Sequence, residues 1–326
     1  MKSQSIYNMY ECLKNHPAIS EKVKQGNNIR VLIGSDEENM QLSLAISESC
    51  HLKNISSVNV INLSLSPSDY VEEQIDSSDI YIFIYSSATL KKPMPKGPSF
   101  IVELKNVLSR TWKKSVIFKD YGVYFDTAFQ EGPDTIRAIN NDLICLSGAA
   151  KKLSYHDGYG GKITGTLDDE AKWTSIDGFG NPDVVPGEIA TRIKDLSGEI
   201  CFSGTFLSTV PFAIKYGVVD ELMMLKVEAS KVVDFHTNNH QFRDDFMKYL
   251  NHNQGNSIIE EFGIGTNIGI KELYGRNAGF EERHPGLHLG LGGGISGSHH
   301  LDLIFSRGSL SFDDSTFFKN GQFIYN

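Results

Sequence analysis

Residues 79–86 read DIYIFIYS, a continuously apolar run with one polar residue at each end. A short run of this kind is typical of a β-strand that is buried on both faces of a parallel sheet. Such sheets are covered by helices, so the run predicts an α/β domain around it.

The sequence around this run alternates strand-like stretches with helical patterns. The other strand-like stretches of this half are residues 28–33 (NIRVLI), 57–63 (SVNVINL) and 115–119 (SVIFK). Helical patterns cover residues 1–26, 35–51, 71–75, 100–112 and 134–153, and a proline-rich loop is expected at residues 91–98. Consecutive β and α elements predict a wound parallel sheet with right-handed crossovers. We therefore expect residues 1–150 to form a Rossmann-like α/β domain.

The turn after the first strand argues against nucleotide binding by this domain. It reads IGSDEEN and lacks GxGxxG, and GxxxxGK[ST] occurs nowhere in the chain. Asp36, Glu37 and Glu38 would repel a pyrophosphate at the start of the next helix. Ser35 and Glu38 have the spacing of a capping box, which predicts that this helix begins here. We expect the domain to serve as a scaffold.

The character of the sequence changes after about residue 153. Short strand-like runs separated by glycine turns follow, at residues 162–167, 199–206, 222–228 and 301–305. One helical pattern interrupts them at residues 239–251, and Asn320-Gly321 is a type I′ hairpin signal. Residues 151–326 are therefore expected to form a β-rich α+β domain.

Composition limits the partners of this chain. It has 31 Lys and Arg against 40 Asp and Glu, a formal net charge of -9, which is unfavourable for binding nucleic acid or anionic membranes. No apolar run approaches the ~20 residues of a membrane helix. The N-terminus lacks the apolar stretch of a secretory signal, and the 4 cysteines form no CxxC pair. We expect a cytoplasmic protein that binds neither nucleic acid nor membrane.

The segment most informative about chemistry is residues 281–305, EERHPGLHLGLGGGISGSHHLDLIF. His300 and Asp302 form an H-x-D step on a predicted strand, so their side chains share one face, about 7 Å apart along the chain. The glycines that precede this step allow the backbone to fold back and bring His288 near it. Two histidines and one carboxylate can hold a metal ion and leave positions open for water or substrate. The alternative interpretation of an H-x-D step is a solvated strand face.

Two glutamates strengthen the metal hypothesis. Glu261 opens the glycine-rich strand EFGIGTN, and Glu188 follows the proline-glycine turn of NPDVVPGE. Each is a candidate metal ligand or base, although an isolated glutamate is usually solvated. His284, in the polar ERHP turn, and His299, which should point away from the face of its neighbour, are not expected to bind metal.

Four motifs, in this order, resemble those of the metallo-aminopeptidase family typified by aminopeptidase T. They are NPDVVPGE, EFGIGTN, ERHPGLHLGLG and SHHLD, which are similar to the family's N-x-P-x-GE, E-x-x-x-G-x-N, EK-x-x-G-x-H-x-x-LG and H-x-D. The family includes shorter relatives such as 2,5-dihydroxypyridine 5,6-dioxygenase, and the likeness covers nearly the whole chain. It implies a homodimer and five metal ligands: Glu188, Glu261, His288, His300 and Asp302. The peptidases hold two divalent ions, which implies that Glu261 bridges them.

One position departs from the peptidase pattern. Peptidase members have a tyrosine seven residues after the first ligand histidine, and this chain has Ile295 there. The spacing from His288 to His300 is also shorter than in the long peptidases. Ordinary peptidase activity is therefore in question, and the chain length is closer to that of the shorter relatives.

Three functions stay open at this point. The first is a metal-dependent hydrolase in which Zn, Mn or Co activates water for attack on a peptide or amide bond, with Glu188 and Glu261 as catalytic carboxylates. The second is a mononuclear Fe(II) ring-cleaving dioxygenase with a site made of His288, His300 and Asp302. The third is a non-catalytic family member in a biosynthetic pathway. The expected partner is a small-molecule or short peptide substrate.

Overall fold

The computed structural model describes residues 3–50, 55–86, 98–167, 172–208 and 212–324. The chain divides into two compact units, Met1–Thr135 with Ile176–Pro186, and Ile136–Ser175 with Gly187–Asn326. A division into domains near residue 150 stays a prediction. In the described part of the chain, no helix combines the length and the apolar character that crossing a membrane requires. The expected loop at residues 91–98 lies outside the described residues, apart from Pro98.

The first unit is built on a four-stranded parallel sheet in the order β2-β1-β3-β4. Its strands are β1 (Ile29–Ser35), β2 (Ile55–Asn62), β3 (Ile80–Tyr85) and β4 (Ser115–Lys119). Its helices are α1 (Ser3–Leu13), α2 (Ser20–Gln25), α3 (Met40–Glu48), α4 (Ser68–Ser77), α5 (Ser99–Glu103), α6 (Lys105–Thr111) and α7 (Phe125–Ala128), with 3₁₀ turns at Trp112–Lys114 and Gly122–Tyr124. The apolar run forms β3, and all its residues are buried. The predicted wound α/β fold is confirmed.

The capping box predicted at Ser35 and Glu38 is wrong. Ser35 is the last residue of β1, and α3 begins further along the chain. Asp36 stabilises the turn instead. Its Oδ1 accepts a hydrogen bond from the backbone N–H of Asn39 at 3.0 Å, and its Oδ2 accepts a hydrogen bond from the backbone N–H of Ser86 at 2.7 Å.

The second unit is dominated by a thirteen-stranded sheet whose strand pairs are antiparallel. Its main path is β17-β16-β15-β5-β6-β9-β14-β13-β12-β8-β7, and β10 and β11 branch from β9. The strands are β5 (Lys152–His156), β6 (Lys162–Thr166), β7 (Thr174–Ile176), β8 (Glu188–Thr191), β9 (Ser197–Ser208), β10 (Val218–Glu228), β11 (Lys231–His236), β12 (Ile259–Gly265), β13 (Gly286–Leu291), β14 (Leu301–Phe305), β15 (Ser309–Phe312), β16 (Ser315–Lys319) and β17 (Gln322–Phe323). The helices are α8 (Pro133–Ser147), α9 (Phe212–Tyr216), α10 (His240–His252) and α11 (Ala278–Glu281), with a 3₁₀ turn at Gln254–Ser257. This is the β-rich α+β architecture that the sequence predicts.

One helix is shorter than its sequence pattern indicates. The pattern over residues 134–153 predicts a single helix, whereas α8 ends at Ser147 and β5 begins at Lys152. β5 pairs with both β6 and β15, so strand pairing over a long distance in sequence overrides the helix propensity of this stretch.

The predicted hairpin at Asn320-Gly321 is confirmed. Both residues have a positive φ, 53° and 78°, as a type I′ turn requires. They join Lys319 of β16 to its partner Gln322 of β17.

Aromatic side chains of α10 pack on one face of the large sheet. Phe242 and Phe246 meet Phe206 of β9 edge-to-face, with ring centroids 4.8 and 5.1 Å apart. The leucines of β13 belong to this core. Because side chains alternate along a strand, His288 of β13 points to the opposite face.

Candidate functional site

Four neighbouring strands, β8, β12, β13 and β14, bring acidic and histidine side chains to one face of the sheet. The cross-strand pairs that place them are Gly265↔Glu188, Gly263↔His288, Glu261↔Gly290 and Gly290↔Asp302. Residues directly opposite each other share a face, so Glu188, Glu261, His288 and Asp302 all project to the same side. We call this surface the glycine-lined face.

Glycines make room for these side chains. A Cβ atom added at Gly263 would lie 1.9 Å from Nε2 of His288. One added at Gly290 would lie 2.9 Å from both Cβ of Glu261 and Cε1 of His300. The side chains of Glu261, His288 and His300 therefore pack directly against the backbone of these glycines, in space that the Cβ of any other residue would occupy.

Two carboxylates converge on one imidazole nitrogen. Nε2 of His288 lies 3.1 Å from Oε1 of Glu188 and 3.2 Å from Oε1 of Glu261. The carboxyl groups of Glu188 and Glu261 are also within hydrogen-bonding reach of each other. Burial lowers the pKa of His288, but the hydrogen bonds and charges of the two glutamates raise it more, to well above its ordinary value. The cluster thus attracts positive charge.

Glu282 and Arg283 complete this cluster at its buried end. Nη1 of Arg283 donates to Oε2 of Glu188 and, at 2.8 Å, to Oε1 of Glu282. Burial raises the pKa of Glu188, but Arg283 and His288 together lower it to about 2. Burial raises the pKa of Glu282 to about 8 against the opposing charge of Arg283. Arg283 therefore lowers the pKa of Glu188 below its ordinary value, whereas burial outweighs Arg283 at Glu282.

His300 and Asp302 form a separate pair on the same face. Nε2 of His300 lies 2.8 Å from Oδ1 of Asp302, and the imidazole also hydrogen-bonds the Gly292 carbonyl. The Asp302 carboxylate beside the ring raises the pKa of His300 to about 9, against the effect of burial. The side chain of His300 is 45% exposed and that of Asp302 only 2%. The pair thus reaches from the interior of the face to solvent.

The five residues proposed from sequence therefore fall into two contact groups. Glu188, Glu261 and His288 touch one another, and His300 touches Asp302. Gly290 lies between the groups, since its added Cβ would meet Glu261, His300 and, at 3.4 Å, Oδ1 of Asp302.

Sequence reasoning missed Glu282 and Arg283. Both follow α11, in a stretch with no strand or helix periodicity to show where they point. The available signal was their place in the ERHPG motif. His299, which was not expected to bind metal, stacks on His252 with ring centroids 5.9 Å apart, and His284 hydrogen-bonds the Lys271 backbone.

The donor set of this face fits a divalent cation. Glu188, Glu282 and His288 each offer a ligand atom, and these atoms lie within 4.8 Å of one another. Three carboxyl groups, those of Glu188, Glu261 and Glu282, share one guanidinium and one imidazole here, so the cluster can take up further positive charge. Carboxylate oxygen with imidazole nitrogen suits Zn, Mn, Co or Fe(II).

Two solved structures share this fold along the whole chain. Wild-type AmpT, aminopeptidase T, from Thermus thermophilus is 12% identical with a TM-score of 0.58, covering 97% of this chain and 100% of its own. The 2,5-dihydroxypyridine dioxygenase from Pseudomonas putida KT2440 is 13% identical with a TM-score of 0.58, covering 100% of this chain and 99% of its own. The resemblance predicted from the motifs is thereby confirmed for the fold.

A family model described as crocagin biosynthetic protein CgnE/B matches residues 218–313. This stretch contains Glu261, Glu282, His288, His300 and Asp302 and excludes Glu188. No curated protein matches the chain by sequence comparison.

Proposed function

We propose that the chain is a metal-dependent hydrolase whose centre is the glycine-lined face. The observation that carries the proposal is the convergence of Glu188 and Glu261 on one nitrogen of His288, within 3.2 Å. Glu188, Glu282 and His288 would hold one divalent ion, Zn, Mn or Co. His300 and Asp302 would offer a second pair of donors, with Glu261 between the two groups.

Glu261 and Glu188 would have different roles, because they differ in exposure. When bound, the ion would lower the pKa of a water molecule and polarise the scissile carbonyl. Glu261, whose side chain is 33% exposed, would accept the proton of that water and pass it to the leaving amine. Glu188 would act from the buried side, since Arg283 holds its Oε2 while its Oε1 faces His288.

The substrate would approach from the side of Glu261 and His300. These are the exposed groups of the face, whereas His288 is 1% exposed. A small molecule or short peptide with an amide bond would reach the centre from here. Ile295 offers no hydroxyl to such a substrate, and it packs against Gly255. The proposed hydrolase therefore lacks the tyrosine hydroxyl that the peptidase pattern has at this position.

Glu261→Gln tests this mechanism, with Glu260→Gln as the matched control. Glu260 is the neighbour of Glu261 on β12 and pairs with Arg192 at 2.8 Å instead. Chelated protein reloaded with Zn, Mn or Co should hydrolyse members of a panel of short peptides and amides. Glu261→Gln should lose about 10²–10⁴-fold in rate, the usual contribution of a general base. Equal losses in the two variants, or no hydrolysis by the reloaded wild type, would contradict the proposal.

The second candidate is an Fe(II) dioxygenase, favoured by the likeness to the Pseudomonas enzyme. His288, His300 and Asp302 would hold the iron, and Glu188 and Glu261 would serve as bases. The contacts favour the hydrolase, because His288 faces the two glutamates while His300 faces Asp302. Metal analysis separates the two: one Fe per chain supports the dioxygenase, and Zn, Mn or Co supports the hydrolase.

The third candidate is a role in a biosynthetic pathway, favoured by the match to the crocagin biosynthetic model. A non-catalytic member would bind no divalent ion at the glycine-lined face.

We also propose that the protein is a cytoplasmic homodimer. Light scattering during size-exclusion chromatography tests the dimer, and a single-chain mass would refute it.

A further inference from the structure

The backbone of His299, the residue before His300, is held through both its carbonyl and its N–H by buried side chains. Tyr249 Oη donates to the carbonyl of His299 at 2.6 Å. The backbone N–H of His299 donates to Asn256 Oδ1 at 2.8 Å. Asn256 Nδ2 in turn donates to the Tyr249 carbonyl at 2.7 Å. These three hydrogen bonds form a closed ring, which we call the Tyr249–Asn256 clamp.

The backbone ahead of His300 needs such a restraint. It leaves β13 through a glycine-rich stretch in which Gly292, Gly293 and Gly297 have φ of 70°, 88° and 80°. Within this stretch the N–H groups of Gly293 and Ile295 donate to Ser298 Oγ at 2.9 and 3.3 Å, and these bonds end at Ser298, before His299 and His300. β14 begins only after His300, at Leu301. The clamp lies at the junction between this hydrogen-bonded stretch and the strand.

His300 depends on this junction more than its partner does. Asp302 is buried within β14, whose five residues are all buried. The imidazole of His300 is nearly half exposed, so surrounding side chains constrain it less. Its ring reaches Asp302 Oδ1 at 2.8 Å and the Gly292 carbonyl, and both contacts depend on where the backbone of His300 lies.

We propose that Tyr249 and Asn256 are positioning residues that hold His300 beside Asp302. The consequence for metal binding rests on the proposed function, whereas the ordering of the stretch before His300 does not. Partners that orient a metal ligand without touching the metal typically contribute 10–100-fold to metal affinity. We expect Tyr249→Phe, which removes one hydroxyl, to weaken binding in this range.

Tyr155→Phe is the matched control. Its hydroxyl donates to a backbone carbonyl in the same unit, that of Arg307, at 2.5 Å, and the side chain is buried like that of Tyr249. Both variants lose a buried hydroxyl bonded to a carbonyl, and both should lower the melting temperature. Only Tyr249→Phe should speed amide hydrogen exchange in residues 292–301 and weaken Zn²⁺ binding, measured by competition with a chromophoric chelator.

The His300→Ala background separates positioning from a general structural role. Once the imidazole is gone, Tyr249→Phe should cost no further Zn²⁺ affinity, because residues that act as a unit are not additive. A second loss of equal size in that background would overturn the proposal, as would unchanged exchange in residues 292–301. If Tyr249→Phe does not fold, Asn256→Ser provides the same comparison. If the wild type binds no Zn²⁺, the proposed function fails and the exchange data alone decide the clamp.

Discussion

Gly263→Ala places a single methyl group against the imidazole of His288. Gly263 lies opposite His288 in the β12–β13 pair, and the new Cβ would lie 1.9 Å from Nε2, 2.1 Å from Cε1 and 2.6 Å from Cδ2. The backbone of Gly263 is not in the left-handed region, so alanine meets no conformational penalty there. The perturbation is therefore purely steric and aimed at one ring.

The size of the effect follows from these distances. Carbon contacts are optimal at about 3.5–4.0 Å, so the ring must move by about 1.5 Å or more. His288 is fully buried and has little room to move. Overpacking of this kind costs about 1–3 kcal/mol of stability. The displaced nitrogen also leaves Glu188 and Glu261, so metal affinity should fall by well over the 10–100-fold typical of groups that only orient ligands.

Calorimetric titration of chelated protein with Zn²⁺, together with urea unfolding, measures both effects. Gly148→Ala is the control, because its nearest contact would be an ordinary 3.4 Å to the Cys145 carbonyl. Gly148→Ala should bind Zn²⁺ like the wild type. If Gly263→Ala retains wild-type affinity, the centre does not use His288 and the steric reasoning is refuted.

Three further perturbations test other parts of the account. His300→Ala should weaken Zn²⁺ binding by more than the 10–100-fold typical of groups that only orient ligands, and should melt closer to the temperature of chelated protein. His299→Ala removes a ring that stacks on His252 and should bind Zn²⁺ like the wild type; the opposite result would move the ligand to His299. Arg283→Met leaves Glu188 and Glu282 without the guanidinium that they share. In urea unfolding the variant should lose about 3–5 kcal/mol of unfolding free energy with chelator present, and less with Zn²⁺ added. An equal loss in both conditions would show that Arg283 does not belong to the metal centre. Burial lowers the pKa of His16 below 6.5, so the free energy of unfolding should be highest above pH 6.5 and should fall as the pH drops towards the folded-state pKa. His16→Asn keeps an acceptor for the Ala18 N–H and should reduce this pH dependence. An unchanged pH profile of the variant would contradict the assignment to His16.

Local patterns in the sequence were sufficient for much of the fold. The apolar run at residues 79–86 identifies β3 because a strand that is buried on both faces has apolar residues at consecutive positions. Asn320-Gly321 identifies its hairpin because both positions need a positive φ. The H-x-D step places His300 and Asp302 together because side chains alternate along an extended chain.

The rest depends on pairing between distant segments. Nothing local aligns Gly263 with His288, or Gly290 with both Glu261 and Asp302, since strand register is set by the packing of the whole sheet. The end of α8 was missed for the same reason, because β5 forms only against its partners. Glu282 was missed because it lies in a turn, where no periodicity shows the direction of a side chain.

The metal content of protein purified without added metal tests the central claim most directly. The account predicts at least one Zn, Mn or Co per chain by mass spectrometry, and its loss in the Glu188→Gln, His288→Ala double variant. Glu260→Gln, which alters a carboxylate paired with Arg192, should retain the ion. Protein that holds no divalent ion, or a double variant that keeps it, would contradict the account.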